Sequence, residues 1–120
     1  MVLVIDGANV VGTRPDGWWR DRPGAARRLA EKLEAAQLPY DRVVLVLEGD
    51  ARHGRPEGDT HGLRVSHAHG DGDDTVVAEV IRLVTAGAGV DVVTADRGLR
   101  TRVDAAGGEV LGPDWLLGQL

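Results

Sequence analysis

The chain has 120 residues, 42% of them hydrophobic and 28% charged. That is the balance of one folded unit able to bury its own core, and not that of a disordered or fibrous segment. It has no cysteine, which excludes disulfides and thiolate metal sites, and no apolar run approaches the ~20 residues of a membrane span. The net charge of −5 argues against a broad basic face for nucleic acid, while leaving carboxylates available for cations. Thirteen Arg against the single Lys32 reads as coding bias before it reads as function.

In chain order, Val2–Ile5 is a short apolar run followed at once by Asp6-Gly7. It predicts a strand buried on both faces, as in a parallel sheet. The run lacks the basic flank and length of a signal peptide, so a cytoplasmic, bacterial-type protein is expected. Residues 6–22 read as loop. The stretch RPGAARRLAEKLEAAQL reads as a helix, with Pro23 in its first turn, Ala26, Leu29, Ala30 and Leu33 at helical spacing, and Leu38-Pro39 as its stop. Val43–Leu47 is a second apolar strand, and residues 48–62 a polar, glycine-rich loop. Leu63–Ser66 is a shorter third strand. HAHGDGDD then leads into a helix with Val76, Val77, Val80, Ile81 and Val84 on one side, capped by Asp71 or Asp73. Val90–Thr94 is the fourth strand, ADRGLRTRVDAAG a short helix, Glu109–Leu111 the last strand and PDWLLGQL a closing helix. Alternating strands and helices predict an α/β class with a mainly parallel sheet.

Three of these strands run into an acid: VLVID into Asp6, VVLVLE into Glu48 and VVTAD into Asp96. A further group, Asp71, Asp73 and Asp74, opens the helix after the third strand. In an open α/β sheet, ligands bind beyond the carboxyl ends of the strands, where the strand order reverses. Carboxylates gathered there repel one another unless a cation lies between them. All-oxygen ligands favour Mg²⁺ or Mn²⁺, ions that polarise a phosphodiester and activate water. Taken singly, each acid is as well explained as a helix cap; taken together they are not. Asn9 in DGAN and Thr94 before Asp96 stand where they would brace the site.

Four motifs in order, VIDGANVVG, VVLVLEG, GDDTVVAEV and VVTADRGLR, resemble those of NYN domains, within the PIN-like nuclease superfamily, and most of all the YacP-like ribonucleases. The resemblance spans roughly residues 2 to 111. It implies one PIN-like domain over residues 1–120, with a Rossmann-like, three-layer architecture and a strand order of 3-2-1-4-5. It also implies a Mg²⁺ or Mn²⁺ site and endonucleolytic cleavage of RNA. Residue by residue, Asp6 matches the first metal-binding Asp and Asn9 its supporting Asn. Asp73, with Asp74 adjacent, matches the acid opening the central helix, and Asp96 the Asp after the fourth strand. Glu48 stands where relatives often have Asp.

For RNA contacts the candidates are Arg14, Trp18, Trp19, Arg20 and Arg22 in the first loop, Arg52 and Arg55 in the second, and Arg97 and Arg100 after Asp96. Arginine pairs with phosphate, and an exposed Trp stacks on an unpaired base. Against this, one of the two Trp is expected to cover the core, and most of the arginines to be ordinary solvated surface. RNA is the expected partner, with a homodimer left open and a membrane excluded. The alternative is a PIN-like module that binds RNA or a protein without cutting. His67 and His69, at i and i+2 of one strand, allow a zinc site in principle, but Gly72 replaces the further His of the related hydrolase motif. Phosphatases of the haloacid-dehalogenase kind need Asp at position 8, where Ala stands. A receiver domain needs a late Lys, and no GxGxxG or Walker sequence is present.

Overall fold

The computed structural model describes residues 1–120. Its first strand, β1 (Val2–Asp6), is buried at all five positions, because parallel neighbours flank it and helices cover both faces. After β1 come α1 (Gly7–Val11), a 3-10 turn at Trp18–Arg20, α2 (Arg22–Ala35), β2 (Arg42–Leu47) and a second 3-10 turn at Gly49–Gly54. The hairpin β3 (Gly58–Thr60) and β4 (Leu63–His67) follows, then α3 (Gly72–Thr85) and β5 (Val90–Val93). The chain closes with α4 (Arg97–Ala106), β6 (Glu109–Leu111) and α5 (Pro113–Gln119).

The sheet order is β3-β4-β2-β1-β5-β6. All pairings are parallel except β3 with β4. This corrects the expected five-strand order 3-2-1-4-5: the polar segment 48–62 contains a sixth, antiparallel strand at one edge. β3 is exposed at every position, so no apolar pattern marks it. Its cause is the two-residue turn His61-Gly62, where both φ angles are positive, 51° and 79°, the backbone sign that type I′ hairpin turns require. The strands on either side of β1 are reached by chain paths that run in opposite directions, so the sheet has its switch point between β1 and β5.

Period-two alternation sorts the strand residues onto two faces. Leu3, Ile5, Leu45, Leu47 and Leu63 meet Ala26, Leu29, Ala30 and Leu33 of α2, with Val10 and Leu116, on one face. Val2, Val4, Val44, Val46, Val90 and Val92 meet Val76, Val80 and Leu83 of α3, with Leu99 and Val103 of α4, on the other. The result is three layers, with the sheet between α1, α2 and α5 and the α3–α4 pair. Asp21 starts α2 by accepting the Gly24 N–H at 2.9 Å, and Gly107 ends α4 at φ 95°, the left-handed cap that glycine takes without penalty. No helix is long and apolar enough to cross a membrane.

Candidate metal centre and active site

Asp6 is the last residue of β1 and is 3% exposed, so its carboxylate needs partners. Its Oδ2 accepts from Asn9 Nδ2 at 2.7 Å and from Thr94 Oγ1 at 3.0 Å. Thr94 follows β5, and its hydroxyl also accepts the Asp96 N–H at 3.1 Å. Asn9 Oδ1 accepts the Ala95 N–H at 3.3 Å. The ends of the neighbouring strands β1 and β5 are thus closed into one polar network. Asp96 caps α4, its Oδ1 accepting the Leu99 N–H at 2.8 Å. The bracing expected of Asn9 and Thr94 is present in this form.

The second half of the site comes from β2 and α3. Glu48 follows β2, and its Oε2 accepts the Gly72 N–H at 2.9 Å, tying the strand end to the first residue of α3. Gly72 permits this approach: a Cβ there would stand 3.1 Å from the Glu48 carboxyl carbon. Asp71 caps α3 through the Asp73 N–H at 2.9 Å, which settles the open choice between Asp71 and Asp73 as the cap. Asp73, in the first turn of α3, is half-buried and accepts no hydrogen bond.

Charge records the convergence. The Asp73 carboxyl is pushed up to about 6, first by burial and then by Asp71, Asp96, Asp6 and Glu48. Asp6 is raised above the usual carboxylate range by burial, opposed by the hydrogen bonds from Thr94 and Asn9, with a further upward push from Glu48. Acids from the ends of β1, β2 and β5 and the start of α3 therefore sense one field. They do not meet: no three His, Asp or Glu groups stand close enough to hold an ion as they are. The donor chemistry nonetheless suits a hard cation, since Asp96 Oδ2 and both Asp73 oxygens carry no hydrogen bond. Asp74, by contrast, turns out to Arg102, 2.9 Å away, and is largely solvent-exposed.

The basic and aromatic candidates divide. Arg97 and Arg100 line a cavity of about 190 Å³ together with Thr94 and Asp96, and neither is ion-paired. Arg52 spends its donors on the Gly49 and Ala68 carbonyls, and Arg55 is ion-paired with Glu34. Arg14 opens on a different groove, beside Arg28 and Lys32. Trp18 and Trp19 meet edge to face with centroids 5.9 Å apart. Arg22 lies 5.2 Å above the Trp18 ring and Arg20 5.8 Å above that of Trp19. Trp19 is 50% exposed; Trp18 is half-buried and lines a cavity instead of joining the core. His67 places Nε2 2.7 Å from the Arg55 carbonyl oxygen, so that nitrogen carries the proton and donates. His69 is exposed, and the zinc arrangement does not form.

Three features had no reading in the sequence: the Glu48–Gly72 tie, the cavity beside Trp18, and the tight seating of α1 on β2. Only the glycines at positions 7 and 72, each next to a strand-end or helix-cap acid, signalled close backbone approach.

No protein-family model matches the chain, and no curated protein matches its sequence. Among solved structures it is similar to Rae1 (YacP) from Bacillus subtilis, with a TM-score of 0.71, and to the W164L mutant of that protein, with a TM-score of 0.78. Each match is 20% identical and covers 98% of this chain and 72% of the other. The likeness is one of fold: the chain has a YacP-like α/β architecture.

Proposed function

We propose that the chain is a metal-dependent endoribonuclease of the PIN-like kind, acting on single-stranded RNA in a bacterial cytoplasm, with Asp6, Asp73 and Asp96 as ligands of Mg²⁺ or Mn²⁺. The observation that carries this reading is the placement of Asp6, Glu48, Asp73 and Asp96 at the ends of β1, β2 and β5 and the start of α3, where Asp73, its carboxyl raised first by burial, is also pushed up by the other three. The four NYN-like motifs support it, and so does the fold neighbour that bears the YacP name.

When bound, the ion would neutralise a phosphoryl oxygen and lower the pKa of an attacking water. The chain's own residues prepare for this. Asn9 and Thr94 both donate to Asp6 Oδ2 and so fix its carboxylate. Thr94 ties the Asp6 carboxylate to the Asp96 backbone. Arg97 and Arg100, beside Asp96, offer unpaired guanidinium groups to RNA phosphates, as planar forks suited to that geometry. Asp74 has no part as a ligand in this reading.

The test is cleavage of single-stranded RNA in Mn²⁺, Mg²⁺ or EDTA by the unmodified protein and by Asp6→Asn and Asp96→Asn. Either substitution keeps the shape and removes one charge. Cleavage should fall by at least about 100-fold, since even indirect partners of a metal account for 10–100-fold. Cleavage that survives EDTA or both substitutions overturns the assignment. RNA binding without cleavage by any form favours the non-catalytic module.

A further inference from the structure

Beyond the carboxyl end of β2, on the side away from Asp96, lies a second cavity of about 260 Å³. α1, the Trp18 turn, the start of α2 and the Gly49–Gly54 turn enclose it. Val11, Ala26 and Leu47 give it an apolar lining, and Trp18 lines it with the Arg22 guanidinium 5.2 Å over the indole. Glu48 stands where the cavity meets the acidic cluster. One oxygen of that carboxylate holds the Gly72 N–H; the other, Oε1, has no partner.

We propose that this cavity is a base-reading subsite, which takes one unstacked, amino-bearing nucleobase of an RNA strand, cytosine over uracil, with Glu48 as the specificity-determining acceptor. The inference rests on the ribonuclease reading only for the strand that delivers the base. Every base has an apolar π-face that stacks on an indole, and a base entering here takes the place over Trp18 that the Arg22 guanidinium holds in the free protein. The cation at the mouth, Arg22, suits the phosphate attached to that base, whereas Glu48 repels a phosphate from the interior. An ionised carboxylate only accepts hydrogen bonds. Cytosine presents an amino group at the edge where uracil presents a carbonyl oxygen, so cytosine gains a charge-assisted bond there and uracil meets repulsion.

The experiment compares the binding of labelled hexacytidylate and hexauridylate in EDTA, where metal-dependent cleavage is silent. The unmodified protein should prefer the cytidine strand by roughly tenfold, the range of one good base contact. Glu48→Gln should bring the ratio to one or invert it, because a carboxamide can donate to the uracil oxygen. Trp18→Ala should weaken both strands by roughly tenfold, as loss of a stacking platform does. Ala8→Leu tests the cavity without touching the core, since Ala8 is exposed at its rim; it should also weaken both strands. Equal binding of the two strands, or a ratio that Glu48→Gln leaves unchanged, overturns the reader. Unchanged affinities in both Trp18→Ala and Ala8→Leu overturn the subsite. The same proteins assayed in Mn²⁺ separate the two proposals. Discrimination without cleavage of any RNA leaves the subsite and defeats the nuclease, and cleavage without discrimination does the reverse.

Discussion

Asp73 and Asp6 show how the same side chain is treated differently at two places in one site. Asp6 is the more deeply buried, yet hydrogen bonds from Thr94 and Asn9 offset part of its desolvation. Asp73 is half-buried, accepts no bond and faces four carboxylates, and its pKa rises from 3.8 to about 6. The folded protein therefore holds a proton on Asp73 in a range where the unfolded chain has released it. Stability contributed at this residue falls as pH rises through that window, from about 4 to about 6, and stays lowered above it. Asp73→Asn removes the repelled charge. In EDTA at neutral pH the variant should melt higher by roughly 2–4 °C, a small shift because solvent screens the exposed part of the group. Near pH 4 the two proteins should melt together, since Asp73 is protonated in the unmodified protein. Calorimetry across pH 4 to 8 measures this; a variant that melts lower at neutral pH would show that Asp73 is not under like-charge repulsion. Added Mn²⁺ should reverse the order, stabilising the unmodified protein by mass action.

At the scale of elements, α1 is the piece that most depends on one residue. It begins immediately after Asp6, with no connecting turn, and a Cβ on Gly7 would stand 2.6 Å from the Val46 carbonyl oxygen of β2. Only glycine lets the helix sit so close to the strand. Gly7→Ala should lower stability by about 1–3 kcal/mol, as overpacking does. It should also move Asn9 off Asp6, so that cleavage falls further than stability accounts for. Gly118→Ala, in α5 with nothing within 4 Å, is the contrast and should be neutral or slightly stabilising. Equal melting temperatures for Gly7→Ala and the unmodified protein would mean that the contact is relieved without cost. The sequence showed the longer helices and the parallel strands because their apolar periods are long enough to read. It did not show α1, five residues without a helical apolar pattern, or β3, whose residues GDT are all exposed. Both are held by what they touch: α1 by the strand ends beneath it, and β3 by the His61-Gly62 turn and its pairing with β4.

For the whole molecule, the acids that end Val- and Leu-rich strands could be read from the sequence because a parallel sheet delivers every such end to one edge. The Trp18 cavity could not, since it exists only where segments read as loop at positions 6–22 and 48–62 meet. The same distinction decides how a chain of net charge −5 binds a polyanion. Many of its arginines are occupied: Arg55 by Glu34, Arg64 by Asp59, Arg82 by Glu79 and Arg102 by Asp74. At the carboxyl edge Arg22, Arg97 and Arg100 remain unpaired. If RNA lies across that edge from the Trp18 cavity to α4, three phosphates are neutralised. At about 0.7 per phosphate for a single strand, the logarithm of the binding constant should fall with the logarithm of salt at a slope near −2. Arg97→Ala should reduce that slope by about 0.7 and weaken all RNA sequences alike, because a phosphate contact carries no base information. Arg42→Ala, at the start of β2 and so at the opposite edge of the sheet, should leave the slope unchanged. Titrations of labelled RNA in EDTA at several salt concentrations measure both. Equal reductions from Arg97→Ala and Arg42→Ala would mean that RNA is held by diffuse charge, and the path across the carboxyl edge would fail.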